Sequence, residues 1–567
     1  MRSETKTDRR TFLKRAGGAA AAPALGAASR LFAAADASAE LVLENGVIVT
    51  MDERRPVAQA MAVRNGRITA VGDDGAVRKV VSDGTKVIDL GGKCVSPGLI
   101  DAHSHVMGYG QMQLKYVLLR PPKINSFGTL NAALAKAAKD IPKGEWIVGR
   151  GFNRFKEGRF PRRWELDEAV PDHPTLIIHW GGQFGAANTL AMKKANLLRA
   201  DVKDPYGGKY LRDRRTGVPD GVLLHYPAIY SVHQPTLDER EQIECAEWGM
   251  KQFAEQGVTC IHDNFCHPQY ARTYVRLERM DRLPCRVRVY PYIKNLQHCQ
   301  ILTERLRRYE GPLVRMQGIK LAVDGYALMY DVPKEHRHMA IPMHPQSTFN
   351  EIIATIHKAG LQADVHAVGD KGVDWTLSAF AKATGSAAEC RRRRHRIEHF
   401  VFLKLDSIKR AADLGVPVCL QPNFIEVKAD DFADKFGRPR RRLVDTLLPI
   451  RTFVKQGVQL AYGADVPAFP SHKPMDSIRS AMDRKAESGR RLDRDEAVMF
   501  LDALRHHTIG SAFAAFDEKE LGSLEVGKQA DFVIWNRDLR KIRTGRHAAA
   551  LEPKATYLAG EPVYEAT

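Results

Sequence analysis

The sequence predicts an α/β fold. The expected architecture is a (β/α)8 TIM barrel, with a small β-sandwich domain built from both chain ends and an inserted subdomain after the first barrel strand. Three observations carry this. Eight short apolar runs recur between residues 94 and 469, most of them preceded by a helix-like segment. Such alternation marks a parallel sheet with crossover helices, and eight units fit a closed barrel. Both chain ends are instead rich in short strands and turns. The interval between the first and second apolar runs is also far longer than the others, which marks an insertion.

Taken in order, residues 1–39 stand apart from the fold. Paired arginines, Arg9 and Arg10, precede Thr11, Phe12, Leu13 and Lys14. An Ala/Gly-rich, weakly apolar stretch follows, then small residues suited to a signal peptidase. This is the pattern of a bacterial twin-arginine export signal, with cleavage after Ala35 or Ala39. Residues 40–98 read as strands. "LVLENGVIVTMD" and "AMAVRNGRITAVGDD" each place Asn-Gly between apolar runs, the signal for a tight hairpin. Residues 512–567 have the same character, in "GSLEVGKQADFVIWNRD" and "PKATYLAGEPVYEA". The two ends are expected to pair into one domain, 40–98 with 512–567. Residues 99–511 then form the barrel, including the insertion 112–240.

The eight candidate barrel strands are "CVSPGLIDAHSH", "GVTCIHDNF", "CRVRVYPYI", "MQGIKLAVDG", "LQADVHAVGD", "RHRIEHFVF", "VPVCLQPNF" and "VQLAYGADVPAF". The insertion contains "GEWIVGRGFN", "TLIIHWGGQFGAAN" and "GGKYLRDRRTGVPDGVLLH" and is expected to cover the barrel mouth and shape a substrate pocket.

Composition narrows the function classes. The chain has 567 residues, 44% hydrophobic, with a formal net charge of +19. The basic clusters "RRRRHR" (Arg391–Arg396) and "RPRRR" (Arg438–Arg442) read as exposed faces or loops, and no nucleic-acid recognition motif accompanies them. No apolar run reaches the length of an ordinary membrane-spanning helix. The eight cysteines form no CxxC pair, which argues against a thiolate metal cluster, and are expected to be mostly free, buried thiols.

The chemistry lies at the strand ends. In "DAHSHV", His103 and His105 are two residues apart and so share one side of a strand. Near its end the fourth run carries Lys320, the fifth His366, the sixth His399 and the eighth Asp465. A barrel brings all six to one mouth, the face on which such barrels carry their active sites. Imidazoles and a carboxylate suit Zn²⁺ and related divalent ions. Lys320 fits such a set only if carbon dioxide converts its amine to an anionic carbamate able to bridge two ions; otherwise it is a structural, salt-bridged lysine.

The motifs "PGLIDAHSH", "GIKLAVDG", "HAVGDKGVD", "HRIEHF", "QPNF", "YGADVP" and "GSLEVGKQADFVI" follow one another across residues 41–567. In them the chain resembles the amidohydrolase superfamily, in its amidohydrolase family 3 branch, which includes N-substituted formamide deformylase. The resemblance implies roles. His103, His105 and Asp465 would hold one metal, His366 and His399 a second, and carboxylated Lys320 would bridge them. Asp465 would act as general base and then general acid. Glu398 and Asp370 are candidates for orienting the ligands. Two positions depart from the branch's pattern: Gln183 stands where a histidine is common, and His225 where a glutamate is common. Both are expected to be substrate-binding positions.

The expected activity is metal-dependent hydrolysis of an amide or formamide C–N bond of a small molecule, in an exported, periplasmic or secreted enzyme. The alternatives are a mononuclear deaminase or cyclic-amide hydrolase of the same superfamily, or a non-catalytic binding protein on this scaffold. The expected partners are the substrate and the twin-arginine export machinery, with no nucleic acid; after signal removal no integral membrane protein is expected, and an oligomer stays open.

Overall fold

The structure, a computed structural model, describes residues 38–566 apart from 154, 233–234, 306–308, 333 and 437–446. The export signal before residue 38 and the Arg438–Arg442 cluster lie outside the described residues. No described helix is long and apolar enough to cross a membrane.

Each of the eight apolar runs supplies a barrel strand: β1 (Leu99–Ser104), β2 (Val258–Cys266), β3 (Arg286–Pro291), β4 (Gly318–Ala322), β5 (Gln362–Ala367), β6 (Arg396–His399), β7 (Val418–Leu420) and β8 (Leu460–Tyr462). They run parallel in two arcs, β1–β2–β3 and β4 to β8. At one seam Tyr292 bridges Lys320 in parallel register. At the other, Asp465 N donates to His103 O at 2.7 Å and His105 N to Val466 O at 2.8 Å. The arcs thus meet along both edges as a β/α barrel. The strands are almost wholly buried, as parallel strands covered by helices must be. The helix Gln346–Lys358, which leads into β5, shows how the covering works. It buries Phe349, Ile352, Ile353 and Ile356, an i, i+3, i+4, i+7 stripe.

The first predicted run divides. Cys94–Pro97 belongs to a different sheet, and β1 begins only at Leu99. Gly98 sits at the joint, where a Cβ would overlap Thr259.

The outer sheet that holds Cys94–Pro97 draws on both chain ends. Its order is Glu561–Glu565, Pro553–Leu558, Phe532–Trp535, Cys94–Pro97, Val47–Val49, Val57–Ala58. A second sheet, Arg67–Gly72, Ala60–Arg64, Leu41–Glu44 and Lys86–Asp89, packs on it. Leu41, Leu43, Ile48, Met61, Val95 and Phe532 share the core between them. The C-terminal strands begin at Phe532, whereas residue 512 falls within the helix Ile509–Ala514. Arg286 on β3 ties this sheet to the barrel: its Nε and Nη2 donate to the two oxygens of Asp531 at 2.8 and 3.0 Å.

The two Asn-Gly pairs part company. Asn65 and Gly66 both take positive φ (50° and 71°), and Ala60–Arg64 pairs antiparallel with Arg67–Gly72 as a hairpin. At Asn45-Gly46 the expectation of a hairpin fails. The runs on either side enter different sheets. Only Asn45 has positive φ (55°), so the turn that needs two such residues is not made. Asn45 is held instead by its own N–H to Asp74 and its side-chain amide to Asp89. Gly46 lies so close to Leu90 that a Cβ would collide with it.

The Arg391–Arg396 cluster also differs from expectation. Arg391 and Arg392 are exposed, but His395 and Arg396 are buried. Arg396 opens β6 and points into the barrel, where Glu398 Oε1 accepts from Nε at 2.5 Å and Ala102 O from Nη2 at 2.6 Å. A run of like charge on the page thus spans a helix end and an interior strand position.

Between β1 and β2 the inserted chain makes its own six-stranded sheet. Its order is Lys209–Arg212, Pro219–Leu224, Phe184–Ala187, Thr175–His179, Ile147–Phe152, Val117–Leu118. All eight cysteines are buried and unpaired.

Candidate active site

The six predicted residues converge at the C-terminal end of the barrel. His103, His105, Lys320, His366, His399 and Asp465 all line one cavity of about 490 Å³. The rings of His103 and His399 are 4.8 Å apart between centroids, those of His366 and His399 4.5 Å, and those of His103 and His105 5.3 Å. Asp465 Oδ1 is 3.0 Å from His105 Nε2 and 3.5 Å from His103 Nε2.

Two of these residues reach the mouth through left-handed backbone. His399 has φ 77° and Asp465 φ 53°. Such φ values are unfavourable for side chains other than glycine, and they persist where packing over-determines them. At His399 the conformation breaks the strand alternation, so Glu398 and His399 both reach His103. Asp465 is anchored by its N–H on His103 O.

Three of the four imidazoles are oriented from behind. His103 Nδ1 bonds Glu398 Oε2, His105 Nδ1 bonds the Asn264 carbonyl, and His399 Nδ1 bonds Gln421 Oε1, the last at 2.6 Å. An imidazole that gives its Nδ1 proton to an acceptor keeps a lone pair on Nε2. The free lone pairs therefore face the cavity. His366 differs: its Nε2 is buried, without a well-formed hydrogen bond, 3.4 Å from Asp324 Oδ1. Burial also holds the rings neutral: it drives the His103, His366 and His399 pKa values down, His366 to about 3, with the Lys320 charge adding to the effect on each.

Behind β1, Asp101 accepts from His103 N at 3.1 Å, Ser104 Oγ at 2.8 Å and Ala464 N at 2.9 Å. It thereby fixes β1 against the segment that carries Asp465. Burial raises this carboxyl to about 7. Lys320 Nζ donates to Asp364 Oδ1 at 2.9 Å, both groups being buried. Burial first, then the Glu398 charge, raises Asp364 to about 6.

The donor set fits a divalent cation. Ligand atoms of His103, His399 and Asp465 lie within 4.8 Å of one another, those two imidazoles are neutral and lone-pair-in, and the His366 ring lies 4.5 Å from that of His399.

Of the two candidate orienting carboxylates, Glu398 touches a ligand and Asp370 does not. Asp370 accepts from Tyr330 N at 3.0 Å and opens the helix Asp370–Thr384. Of the two predicted substrate positions, Gln183 lines the cavity. His225 is buried behind it, its N–H on Gln183 O at 2.6 Å, its Nε2 on His338 O at 3.1 Å, and its ring against Gly325. Asn264, Gln421 and Asp364 complete the site without having been singled out in the sequence.

This arrangement defines a metal-binding hydrolase barrel, and comparison makes the class specific. The model of the amidohydrolase family matches residues 86–564. The Arabidopsis thaliana protein LONG AFTER FAR-RED 3 is 30% identical over 93% of this chain and 92% of its own length. The N-substituted formamide deformylase of Arthrobacter pascens is 28% identical over 93% of this chain and 99% of its own. Among solved structures, an uncharacterized metal-dependent hydrolase from Pyrococcus horikoshii superposes with a TM-score of 0.71 at 23% identity, covering 89% of this chain and 99% of that one. The chain belongs to the amidohydrolase family. It is a hydrolase acting on carbon–nitrogen bonds.

Proposed function

We propose that the protein hydrolyses an amide- or formamide-type C–N bond of a small molecule, giving a carboxylate and an amine. The observation that carries this reading is the convergence of neutral, rear-anchored imidazoles and Asp465 on one cavity. One ion, with zinc as the expected metal, would be held by His103, His105 and Asp465 and a second by His366 and His399, and Lys320 as a carbamate would supply an anionic ligand to both. When bound, such ions acidify water and polarise a carbonyl. The chain's own residues then do the rest. Asp465 Oδ takes the proton from the attacking water and returns it to the departing nitrogen. Glu398 and Gln421 hold His103 and His399 in the tautomer with Nε2 unprotonated. Gln183 contacts the substrate from the inserted sheet. Support for C–N chemistry of the amide type also comes from the formamide deformylase relative.

The Lys320–Asp364 pair, at 2.9 Å, favours a second reading with one ion and an unmodified lysine, as suits a deaminase or cyclic-amide hydrolase. Elemental analysis of protein purified without chelator separates them. About two ions per chain with turnover of amides or formamides is expected. About one, unchanged by added zinc and bicarbonate, supports the second reading. No metal and no turnover after both additions would overturn both.

We also propose export through the twin-arginine pathway, on the strength of Arg9, Arg10 and the small-residue stretch after them. A reporter fused to residues 1–40 should be exported, and should be retained when both arginines become lysine; unchanged export of that variant refutes the pathway.

A further inference from the structure

Among the described residues, one guanidinium at the cavity has no ion-pair partner. Arg150 lies on the inserted strand Ile147–Phe152, on the same side as Val148, whose face meets Ile178, Ile229 and Val232. The pairing with the neighbouring strand shifts register between Arg150 and Phe152, and Gly151 there has φ 115°. A bulge of this kind re-aims the preceding side chain. The guanidinium lines the same cavity as the metal-ligand set. A Cβ built on Gly182 would lie 3.4 Å from Arg150 Nη2 and 3.5 Å from Tyr226 Cε1, so that glycine, at φ 79°, leaves the side chain its room.

Among the described residues the Arg150 side chain makes no ion pair, and its Nε is buried without a hydrogen-bond partner. The carboxylates on the cavity wall are committed elsewhere. Asp263 accepts from Tyr274 Oη at 2.5 Å, and Asp465 stands against His103 and His105. Lys294, at the same wall, has no carboxylate partner either; its Nζ sits 5.4 Å over the Tyr230 ring. Tyr116, Tyr226 and Tyr230 line the cavity together with Arg150, and burial pushes these phenols up, which keeps them neutral. The wall beside Arg150 is aromatic: the rings of Phe265 and Tyr292 stack at 3.8 Å, and Tyr226 packs on Phe265 at 5.1 Å.

A guanidinium withdrawn from water without a counter-ion is costly, and its planar fork matches a carboxylate in bidentate fashion. We propose that Arg150 is a specificity residue that pairs with a carboxylate carried by the substrate, so that the preferred substrates are N-acylated amino acids with a large apolar side chain and a free carboxylate rather than uncharged amides. This rests on the hydrolase reading above and narrows its substrate class.

The test uses two formamides that differ only in the carboxylate, N-formylphenylalanine (both enantiomers) and N-(2-phenylethyl)formamide, with the metal-loaded full chain. The expected kcat/KM ratio favours the carboxylate by about 100-fold, the range of a charged hydrogen-bonded pair. Arg150→Gln should erase that preference mainly through KM and leave the neutral formamide within about threefold; Arg150→Lys should restore part of it. In parallel, calorimetry with 3-phenylpropanoate, which cannot be hydrolysed, should show binding weakened about 100-fold in Arg150→Gln. Carboxylate binding that depends on Arg150 with no turnover of either formamide would sink the hydrolase reading and keep the assignment of Arg150. Turnover of the neutral formamide as fast as its charged partner by the unmodified protein, which needs no variant to fold, would overturn the assignment and keep the hydrolase reading.

Discussion

Glu398→Gln is the sharpest test of how the site is built. Glu398 is fully buried between two partners: Oε2 faces His103 Nδ1, and Oε1 accepts from Arg396 Nε at 2.5 Å. Glutamine fits the space but cannot serve both. If its oxygen accepts from His103, its NH₂ faces the Arg396 guanidinium, donor against donor. If it turns round, its NH₂ donates to His103 Nδ1 and forces the proton onto Nε2, removing the lone pair aimed at the cavity. Loss of such an orienting partner weakens metal binding about 10- to 100-fold, or about 1.4–2.7 kcal/mol. The fold is affected as well. Breaking a buried ion pair costs about 3–5 kcal/mol. Arg396 keeps Asp364 at 3.6 Å and the Ala102 carbonyl at 2.6 Å, so about 3 kcal/mol, the low end, is expected. Chelator competition at fixed pH reads the first quantity, and urea unfolding of metal-free protein the second. A folded variant whose metal affinity stays within twofold of the parent would refute the claim that Glu398 fixes the His103 tautomer.

Asp465→Asn is expected to keep the fold, because asparagine tolerates the φ of 53° at this position, and to lower kcat about 10²- to 10⁴-fold on any substrate the parent turns over. A melting curve beside the turnover assay checks both halves, and near-parental kcat would remove Asp465 from its proton-transfer role. Asp531→Ala strands the buried Arg286 guanidinium and takes an acceptor from Ala559 N. It should cost about 3–5 kcal/mol, seen as a lower urea midpoint, though the mutation touches no cavity residue; an unchanged midpoint would show that Arg286 finds another partner.

What the sequence made legible follows from range. The barrel strands were readable because a parallel strand buried on both faces is a short unbroken apolar run, and their terminal polar residues stood out against it. His103, His105, Lys320, His366, His399 and Asp465 were visible for that reason. Residues that act through their backbone left no signal: Asn264 serves His105 with a carbonyl, which every residue possesses. Gln421 was inside the recognised "QPNF" motif, but its role depends on the left-handed turn at His399, which no local pattern announces. Arg150 lay within the predicted insertion, yet its placement needs both the bulge at Gly151 and the fold-over of that sheet onto the cavity. The Asn45-Gly46 corner and the burial of Arg396 misled for one reason. Local composition cannot say which sheet a strand will join, or which side of a barrel wall a charge will face.

The outer sheet has a consequence for the order of events during synthesis. Ser96 Oγ accepts from Trp535 Nε1 at 2.9 Å across 439 residues of chain, and Cys94–Pro97 runs through Gly98 directly into β1. A ribosome delivers Cys94–Pro97 long before its antiparallel neighbour, Phe532–Trp535. One edge of Cys94–Pro97 stays open throughout synthesis of the barrel, and contacts of such long range form slowly. The clamp on the segment that carries His103 is thus complete only when residues 532–535 arrive. A nascent chain stopped short of them would hold every proposed metal ligand and still lack the clamp that fixes the first two.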